Sequence, residues 1–147
     1  MVIQGSFEGG KQQNLQNRVS AVTFHPGITD EENSIYQSAI FYTYDVHGNV
    51  TRQVKDNNNE VYSKLFQNKK IKSIDYEFDL ISGNVRKVTY QKDKSDQFIH
   101  KYEYDLDNRL SIVSTSKDGE EWTQDGKYLY NDICDLARYE IGDVNST

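Results

Sequence analysis

The sequence has little of several residues that commonly organise a fold or a site. Its 147 residues include one cysteine, one proline, one methionine and one tryptophan. The single cysteine, Cys134, cannot form an internal disulfide, so cysteine usage does not indicate a redox compartment. No apolar run approaches the roughly 20 residues that cross a bilayer, and the first residues lack the basic and apolar regions of a secretion signal. We expect no membrane insertion, and either a cytoplasmic protein or part of a longer chain.

Acidic residues outnumber basic ones by 23 to 17, and the hydrophobic content is low. The net charge of −6 and the pI near 5.0 argue against a nucleic-acid surface, which is normally basic. Hydrophobic residues make up 35% of the chain, whereas 11 residues are tyrosine. Tyrosine suits half-buried sheet faces, where the ring packs and the hydroxyl meets water. The composition therefore favours a sheet protein of about one domain over a helical bundle.

A motif recurs along most of the chain. It reads YEYDLDNRL at 102–110, YTYDVHGNV at 42–50 and YEFDLISGNV at 76–85, with a shorter copy, YLYND, at 128–132. The leading tyrosines are therefore separated by 34, 26 and 26 residues. A period of this size predicts a modular architecture made of one repeated supersecondary unit.

Each copy predicts a β-hairpin, with a strand before the turn and a strand after it. The predicted hairpins cover residues 40–55, 71–91, 97–116 and 127–141, with a lone strand at 17–24, a short strand near Trp122 and one helical turn at 60–68. The fold class is all-β: consecutive antiparallel hairpins in one curved sheet that can be open. Residues 1–16 are interpreted as a flexible lead-in, 17–142 as the hairpin region and 143–147 as a polar tail. The strand at 17–24 matches the second half of a hairpin, so we expect the sequence to be a fragment.

The motif residues have structural explanations. Asp45, Asp79 and Asp105 end a strand, where a carboxylate accepts backbone N–H groups of the turn. Gly48 and Gly83 tolerate positive φ, and Asn108 is the next best residue for that conformation. On the third hairpin, alternation puts an aromatic row on one face, which we expect to be the packed face; the row consists of Phe98, His100, Tyr102 and Tyr104.

Several residues could suggest a metal, catalytic or sugar-binding site, but a structural role explains each of them better. His25, His47 and His100 have none of the close spacings of zinc ligands, and each turn offers too few carboxylates for calcium. Nothing near Cys134 marks an activated thiol. Two acidic stretches, 30–32 and 118–121, read as solvated loops, because acid–base catalysis requires carboxylates in distinct environments. Trp122 could stack on a sugar ring, although sheet packing is the simpler use of such a ring. We expect no enzyme activity, no metal and no cofactor.

The motif resembles the RHS or YD repeat over about residues 17–142, as found in large bacterial RHS-repeat proteins of the Bacteroidetes type. The positions that carry the resemblance are Tyr42, Tyr44, Asp45, Gly48, Tyr76, Phe78, Asp79, Gly83, Tyr102, Tyr104, Asp105 and Arg109. The chain departs from it at residues 80–82, which lengthen one turn, at Asn108, and at Asn131 and Cys134. No self-cleavage segment or toxin domain is recognisable here.

The resemblance implies a non-catalytic structural segment of a shell or cell-surface scaffold. In the family, such a shell can enclose a C-terminal toxin or effector domain, so the expected partners are neighbouring repeats of a longer chain and an enclosed cargo. Secretion or a cell-surface location is implied in the same way. The alternative is a carbohydrate-binding or adhesion module that uses Trp122. An isolated fragment is expected to self-associate through its sheet edges.

Overall fold

A computed structural model describes residues 6–7, 10–25, 36–57 and 71–142. These residues form eleven strands and contain no helix. The strands are β1 (Ser6–Phe7), β2 (Gly10–Lys11), β3 (Ala21–Phe24), β4 (Ser38–Tyr44), β5 (Val50–Asn57), β6 (Ile71–Phe78), β7 (Val85–Tyr90), β8 (Phe98–Tyr104), β9 (Leu110–Ser116), β10 (Thr123–Tyr130) and β11 (Leu136–Ile141).

Strands β3 to β11 form one antiparallel sheet in which each strand lies beside its neighbours in sequence. β1 and β2 make a separate two-stranded ribbon. Within the described part of the chain, β3 and β11 are the outermost strands, so the sheet is not closed. The predicted class, consecutive antiparallel hairpins in one open sheet, is confirmed. Its basis is the alternation of β-rich segments with turn residues at short, regular intervals.

The chain divides into two compact units, Met1–Asp75 and Tyr76–Thr147. In the first unit, the buried side chains form a row across three strands. Ala39 and Val54 are each 1% exposed and Ser73 is 6% exposed. Val54 pairs with Phe41 on β4 and with Ser73 on β6. This row lies on the face opposite Tyr42 and Tyr44, because side chains alternate along a strand.

The second unit has an equivalent row. Thr89, Ile99 and Ser116 are directly paired across β7, β8 and β9, and each is less than a tenth exposed. The loop after β9 lies over the row, since a side chain added at Gly119 would contact Ile99 Cδ1. Ile99 is the only buried hydrophobic residue of this unit within the described residues. Burial in this unit is therefore local and shallow.

The aromatic row of β8 forms as predicted, although the one buried residue of β8 lies on the other face. Phe98 and His100 have ring centroids 5.1 Å apart, and His100 and Tyr102 stack at 6.3 Å. Phe98 is nevertheless 36% exposed, whereas Ile99 on the other face is buried. The reason is that Ile99 is flanked by short side chains that allow the following loop to fold over it.

Some predicted boundaries differ from the structure. β3 begins at Ala21 rather than at residue 17, because Asn17 has a φ of 57° and belongs to a turn. The short strand predicted near Trp122 is not separate: β10 starts at Thr123 and contains a bulge between Gln124 and Gly126. The predicted helical turn at 60–68, the acidic loop at 30–32 and the tail at 143–147 lie outside the described residues.

The described part of the predicted lead-in contacts the sheet. Gln12 is 7% exposed, and its side-chain amide donates to the backbone carbonyls of Ser20 and Tyr42. Asn14 donates through its side chain to the Tyr44 carbonyl at 2.7 Å. Gln12 and Asn14 therefore satisfy backbone carbonyls beside β3 and in the last three residues of β4.

Candidate functional site: the capped turns and the tyrosine clips

Four turns close the hairpins β4–β5, β6–β7, β8–β9 and β10–β11, and we call them the capped turns. They comprise residues 45–49, 79–84, 105–109 and 131–135. In each, the N–H of the first residue donates to the carbonyl of the last at 2.8–3.0 Å. A second backbone bond returns to the first residue from Gly48, Gly83, Asn108 or Cys134. The predicted turns are therefore present, including the fourth, whose sequence departs most from the motif.

A side chain at the first position of each turn accepts further hydrogen bonds. Asp45 Oδ1 accepts the N–H groups of His47, Gly48 and Asn49 at 2.7–2.9 Å. Asp79 accepts from the backbone of residues 81 and 82. Asp105 accepts the backbone N–H groups of residues 107 and 109. Asn131 accepts the backbone N–H groups of residues 133 and 135 in the same way. The aspartates act as backbone caps, as their position after a strand predicts.

The caps lower the pKa of these carboxyl groups. At Asp79, the N–H groups of Ser82 and Ile81 lower the pKa because they stabilise the charged form. At Asp45 and Asp105, partial desolvation acts to raise the pKa, but the hydrogen bonds of the turn, from Asn49 and Arg109 among others, together outweigh it and the pKa is lowered. The turns therefore favour the ionised aspartate.

Each turn contains a residue with positive φ near its end. The angles are 101° at Gly48, 74° at Gly83, 61° at Asn108 and 68° at Cys134. Glycine and asparagine adopt this region readily, whereas cysteine does so at a cost. The fourth turn therefore keeps the geometry with a poorly suited residue.

A turn of related sequence but different hydrogen bonding lies at residues 14–18, and it was not predicted. Asn17 has a positive φ, and the N–H of Arg18 donates to the Leu15 carbonyl at 3.0 Å. The signal was present in the sequence, since Leu15-Gln16-Asn17-Arg18 matches Leu106-Asp107-Asn108-Arg109 at three of four residues. It was hidden because Asn14 stands in place of the aspartate and no Tyr-x-Tyr precedes it.

The second tyrosine of the motif makes a contact that sequence reasoning did not identify. Tyr44 Oη donates to the Val19 carbonyl, Tyr104 Oη to the Val85 carbonyl and Tyr130 Oη to the Leu110 carbonyl, at 2.8–2.9 Å. Each acceptor directly follows a turn: Val85 and Leu110 are the first residues of β7 and β9, and Val19 lies two residues before β3. We call these three hydrogen bonds the tyrosine clips. Phe78 occupies the same motif position in the second hairpin and has no hydroxyl to donate.

The clips share one register. Lys87 pairs with Lys101, and Ile112 pairs with Lys127. If these pairings continue for two more residues, Val85 lies opposite Glu103 and Leu110 lies opposite Leu129. In both cases the carbonyl acceptor lies opposite the residue just before the clip tyrosine. The β3–β4 pairing of Ala21 with Phe41 gives the same offset for Val19 and Tyr44. The clip is therefore one diagonal contact repeated at three junctions.

Two arginines reinforce the clips. Arg18 lies over the Tyr44 ring at 5.5 Å, and Arg109 lies over the Tyr130 ring at 4.6 Å, within cation–π range. Arg109 Nε also donates to Asp105 at 2.7 Å. Arg109 thus links the cap of its own turn to the clip tyrosine of the next hairpin.

The first aromatic residues of the motif pack along their own strands. Tyr42 and Tyr44 have centroids 6.5 Å apart, as do Tyr76 and Phe78. Tyr128 instead stacks on Tyr139 at 4.8 Å. These rings line one face of each hairpin, which is the sheet-packing role.

Trp122, the candidate sugar-stacking residue, lies just before β10 and is 36% exposed. Its indole N–H donates to the Gly119 carbonyl at 3.1 Å, and Lys101 Nζ lies 5.8 Å from its ring. Trp122 also borders an open concavity of about 1080 Å³ within the second unit, with Lys87, Lys101, Glu77 and Glu103 among its lining residues. Part of the indole is thus used to hold the loop, and part is accessible.

The remaining candidates are dispersed. Of the three histidines, His25 follows β3, His47 is in the first capped turn and His100 is inside β8. Within the described ranges, no cluster of three or more His, Cys, Asp or Glu side chains could hold a metal ion. The same residues include no helix that is long and apolar enough to span a membrane. Cys134 is exposed in the fourth turn.

Comparison with known proteins adds no assignment. No protein-family model matches the chain, and no curated protein matches it.

Proposed function

We propose that the chain is a non-catalytic structural segment of a YD-repeat scaffold. Its action is sheet extension, in which each hairpin is closed by a capped turn and pairs with the preceding strand through backbone hydrogen bonds, with a tyrosine clip at three of these junctions. The observation that carries the proposal is the clip itself. The same diagonal hydrogen bond recurs at three junctions, which is the behaviour of a unit made to be added repeatedly.

The shallow burial supports the same function. Only Ala39, Val54 and Ile99 are buried hydrophobic residues among the described ones. Such a chain depends on backbone pairing and turn caps more than on a central core. That dependence fits a wall element whose partners are neighbouring repeats of a parent chain. By resemblance, the wall would belong to a secreted or cell-surface protein and would enclose a toxin or effector domain.

The mass of the native polypeptide tests this proposal. An antibody against this segment should detect a band far above 17.1 kDa in the source cells. A band at 17.1 kDa would contradict the scaffold function, because no neighbouring repeats would then exist in the same chain. If the band is large, limited proteolysis of the parent should release the cargo domain only after the repeat region is cut.

A second candidate is carbohydrate binding at Trp122, favoured by its accessible ring beside the concavity of the second unit. Indole faces suit the apolar side of a sugar ring, and the nearby lysines and glutamates could donate and accept hydrogen bonds. A glycan array with Trp122→Ala tests it. Tyr139→Ala is a matched control, since it removes a similarly exposed ring elsewhere. Binding that both variants retain, or no binding at all, would reject this candidate.

A further inference from the structure

The outermost strand β11 follows the fourth capped turn as β9 follows the third. Leu136 is the first residue of β11, and Leu110 is the first residue of β9. Leu110 accepts a tyrosine clip from the next hairpin. Among the described residues β11 pairs with β10 alone, so its outer edge carries the backbone groups that β9 uses to bind β10.

We propose that β11 is a docking edge for one further hairpin strand that ends in Tyr-x-Tyr-Asp, whose second tyrosine hydroxyl donates to the Leu136 carbonyl. This inference rests on the proposed function and specifies the partner. The clip offset also fixes the register: the residue before the clip tyrosine lies opposite Leu136. A strand without that hydroxyl would keep the backbone pairing, as β6 with Phe78 does, but would lose this side-chain contact.

The occupant is a following hairpin rather than a second folded copy of this chain. The strands that carry the motif, β4, β6, β8 and β10, all lie inside the sheet order with a neighbour on each side. A second copy folded in the same way would offer β3 or β11 at its described edges, and neither has the Tyr-x-Tyr-Asp sequence. Docking such a strand from a folded copy would require unpairing it first.

The side chains along β11 fit this use. Leu136 and Ile141 are 53% and 79% exposed, and Tyr139 is 48% exposed beside Tyr128. Arg138 and Glu140 pair with each other along the strand at 2.8 Å. The edge thus carries a single ion pair and exposed apolar residues and contains no proline. Its bulge at Ala137 has an equivalent at Ser111 of β9, and β9 pairs with β10 despite that bulge.

An extended chain tests the proposal. Appending a second copy of residues 122–142 after Thr147 puts the copied Tyr130 20 residues after Leu136, the separation of Tyr130 from Leu110. Hydrogen exchange of the 136–141 segment is compared with that of the original chain. We expect exchange to slow by about tenfold or more, because edge amides become paired.

The tyrosine is tested in the same extended chain. Tyr130→Phe, made in the appended copy only, should remove part of the protection of residues 136–141. Tyr128→Phe in the appended copy is the control and should leave that protection unchanged. Unchanged exchange at 136–141 would overturn the docking edge. Equal protection with both substitutions would overturn the clip. The result is separable from the proposed function, since a native mass of 17.1 kDa would contradict the scaffold without altering this exchange measurement.

Discussion

The third and fourth capped turns close successive hairpins of the same unit, with matching backbone hydrogen bonds and different side chains. Asp105 N–H donates to the Arg109 carbonyl at 2.9 Å, and Asn131 N–H donates to the Asp135 carbonyl at 3.0 Å. The positive φ angles of Asn108 and Cys134 differ by only 7°. The strands on either side therefore impose the turn geometry, and the motif side chains stabilise it.

The side chains of the two turns differ in charge. In the third turn, Arg109 pairs with Asp105 and Asp107 and lies over Tyr130. In the fourth turn the cap is a neutral asparagine, and Asp135 stands in the position of Arg109. The third turn thus has both a charged cap and a link to the next hairpin, whereas the fourth has only a neutral cap. Because both turns have the same backbone, they form a natural pair for measuring what the motif side chains contribute.

Acidification should produce the largest difference between the two turns. The pKa of Asp105 lies below its ordinary value of 3.8 in the folded chain, so its stabilising effect is complete above that pH and is lost as pH falls through the lowered value. Asp45 and Asp79 behave alike. The measurement is hydrogen exchange, corrected for the effect of pH on the intrinsic exchange rate. Below about pH 4, exchange in residues 104–110 should increase, whereas exchange in residues 130–136 should increase little. Equal opening of both segments would contradict a cap-specific effect.

Asp105→Ala should have the next largest effect. It removes the acceptor of two backbone N–H groups and of Arg109 Nε. We expect exchange at the end of the β8–β9 hairpin to rise by roughly five- to tenfold, as for the loss of a helix cap. Asn131→Ala is the matched change and should cost less, since it removes an uncharged acceptor. Asp105→Asn separates the two contributions, because it keeps the acceptor and removes the charge. If exchange rises equally in Asp105→Ala and Asn131→Ala, the charge on Asp105 does not contribute to the stability of its turn.

Tyr130→Phe should have a smaller effect that extends across the junction between β9 and β10. The loss of one hydroxyl hydrogen bond to a carbonyl costs about 0.5–1.5 kcal/mol of unfolding free energy. Urea denaturation measures the total, and exchange in residues 110–116 locates it. Tyr102→Phe is the control, since the described structure shows no hydrogen bond from its hydroxyl. If Tyr102→Phe lowers the unfolding free energy as much as Tyr130→Phe does, the clip hydrogen bond does not contribute to stability.

Cys134→Gly should give the smallest change, and it should be stabilising. Relief of a left-handed conformation at a non-glycine residue is worth about 1 kcal/mol, partly offset by the greater unfolded-state entropy of glycine. Asn108→Gly should gain less, because asparagine tolerates this region better. The urea midpoints of the two variants provide the comparison. A loss of stability in Cys134→Gly would show that thiol contacts outweigh the strain.

The hairpins were predictable because their signals are local. Alternating residues and a turn sequence lie within about ten positions, and backbone sterics select the same turn for each copy. The predicted spans 71–91 and 97–116 agree with β6–β7 and β8–β9 to within a residue or two at their outer ends. The caps at Asp45, Asp79 and Asp105 were predictable for the same reason, since donor and acceptor are two to four residues apart.

The tyrosine clips and the buried rows were not predictable in this way. A clip joins residues 19–25 positions apart, and it depends on the register between two hairpins. The burial of Ile99 depends on a loop that folds over it from the end of β9. The sequence by itself determined the strands, the turns and their caps, because neighbouring residues specify them. Only the tertiary structure decided which face is covered and which carbonyl each tyrosine binds, because both follow from how strands distant in sequence are aligned.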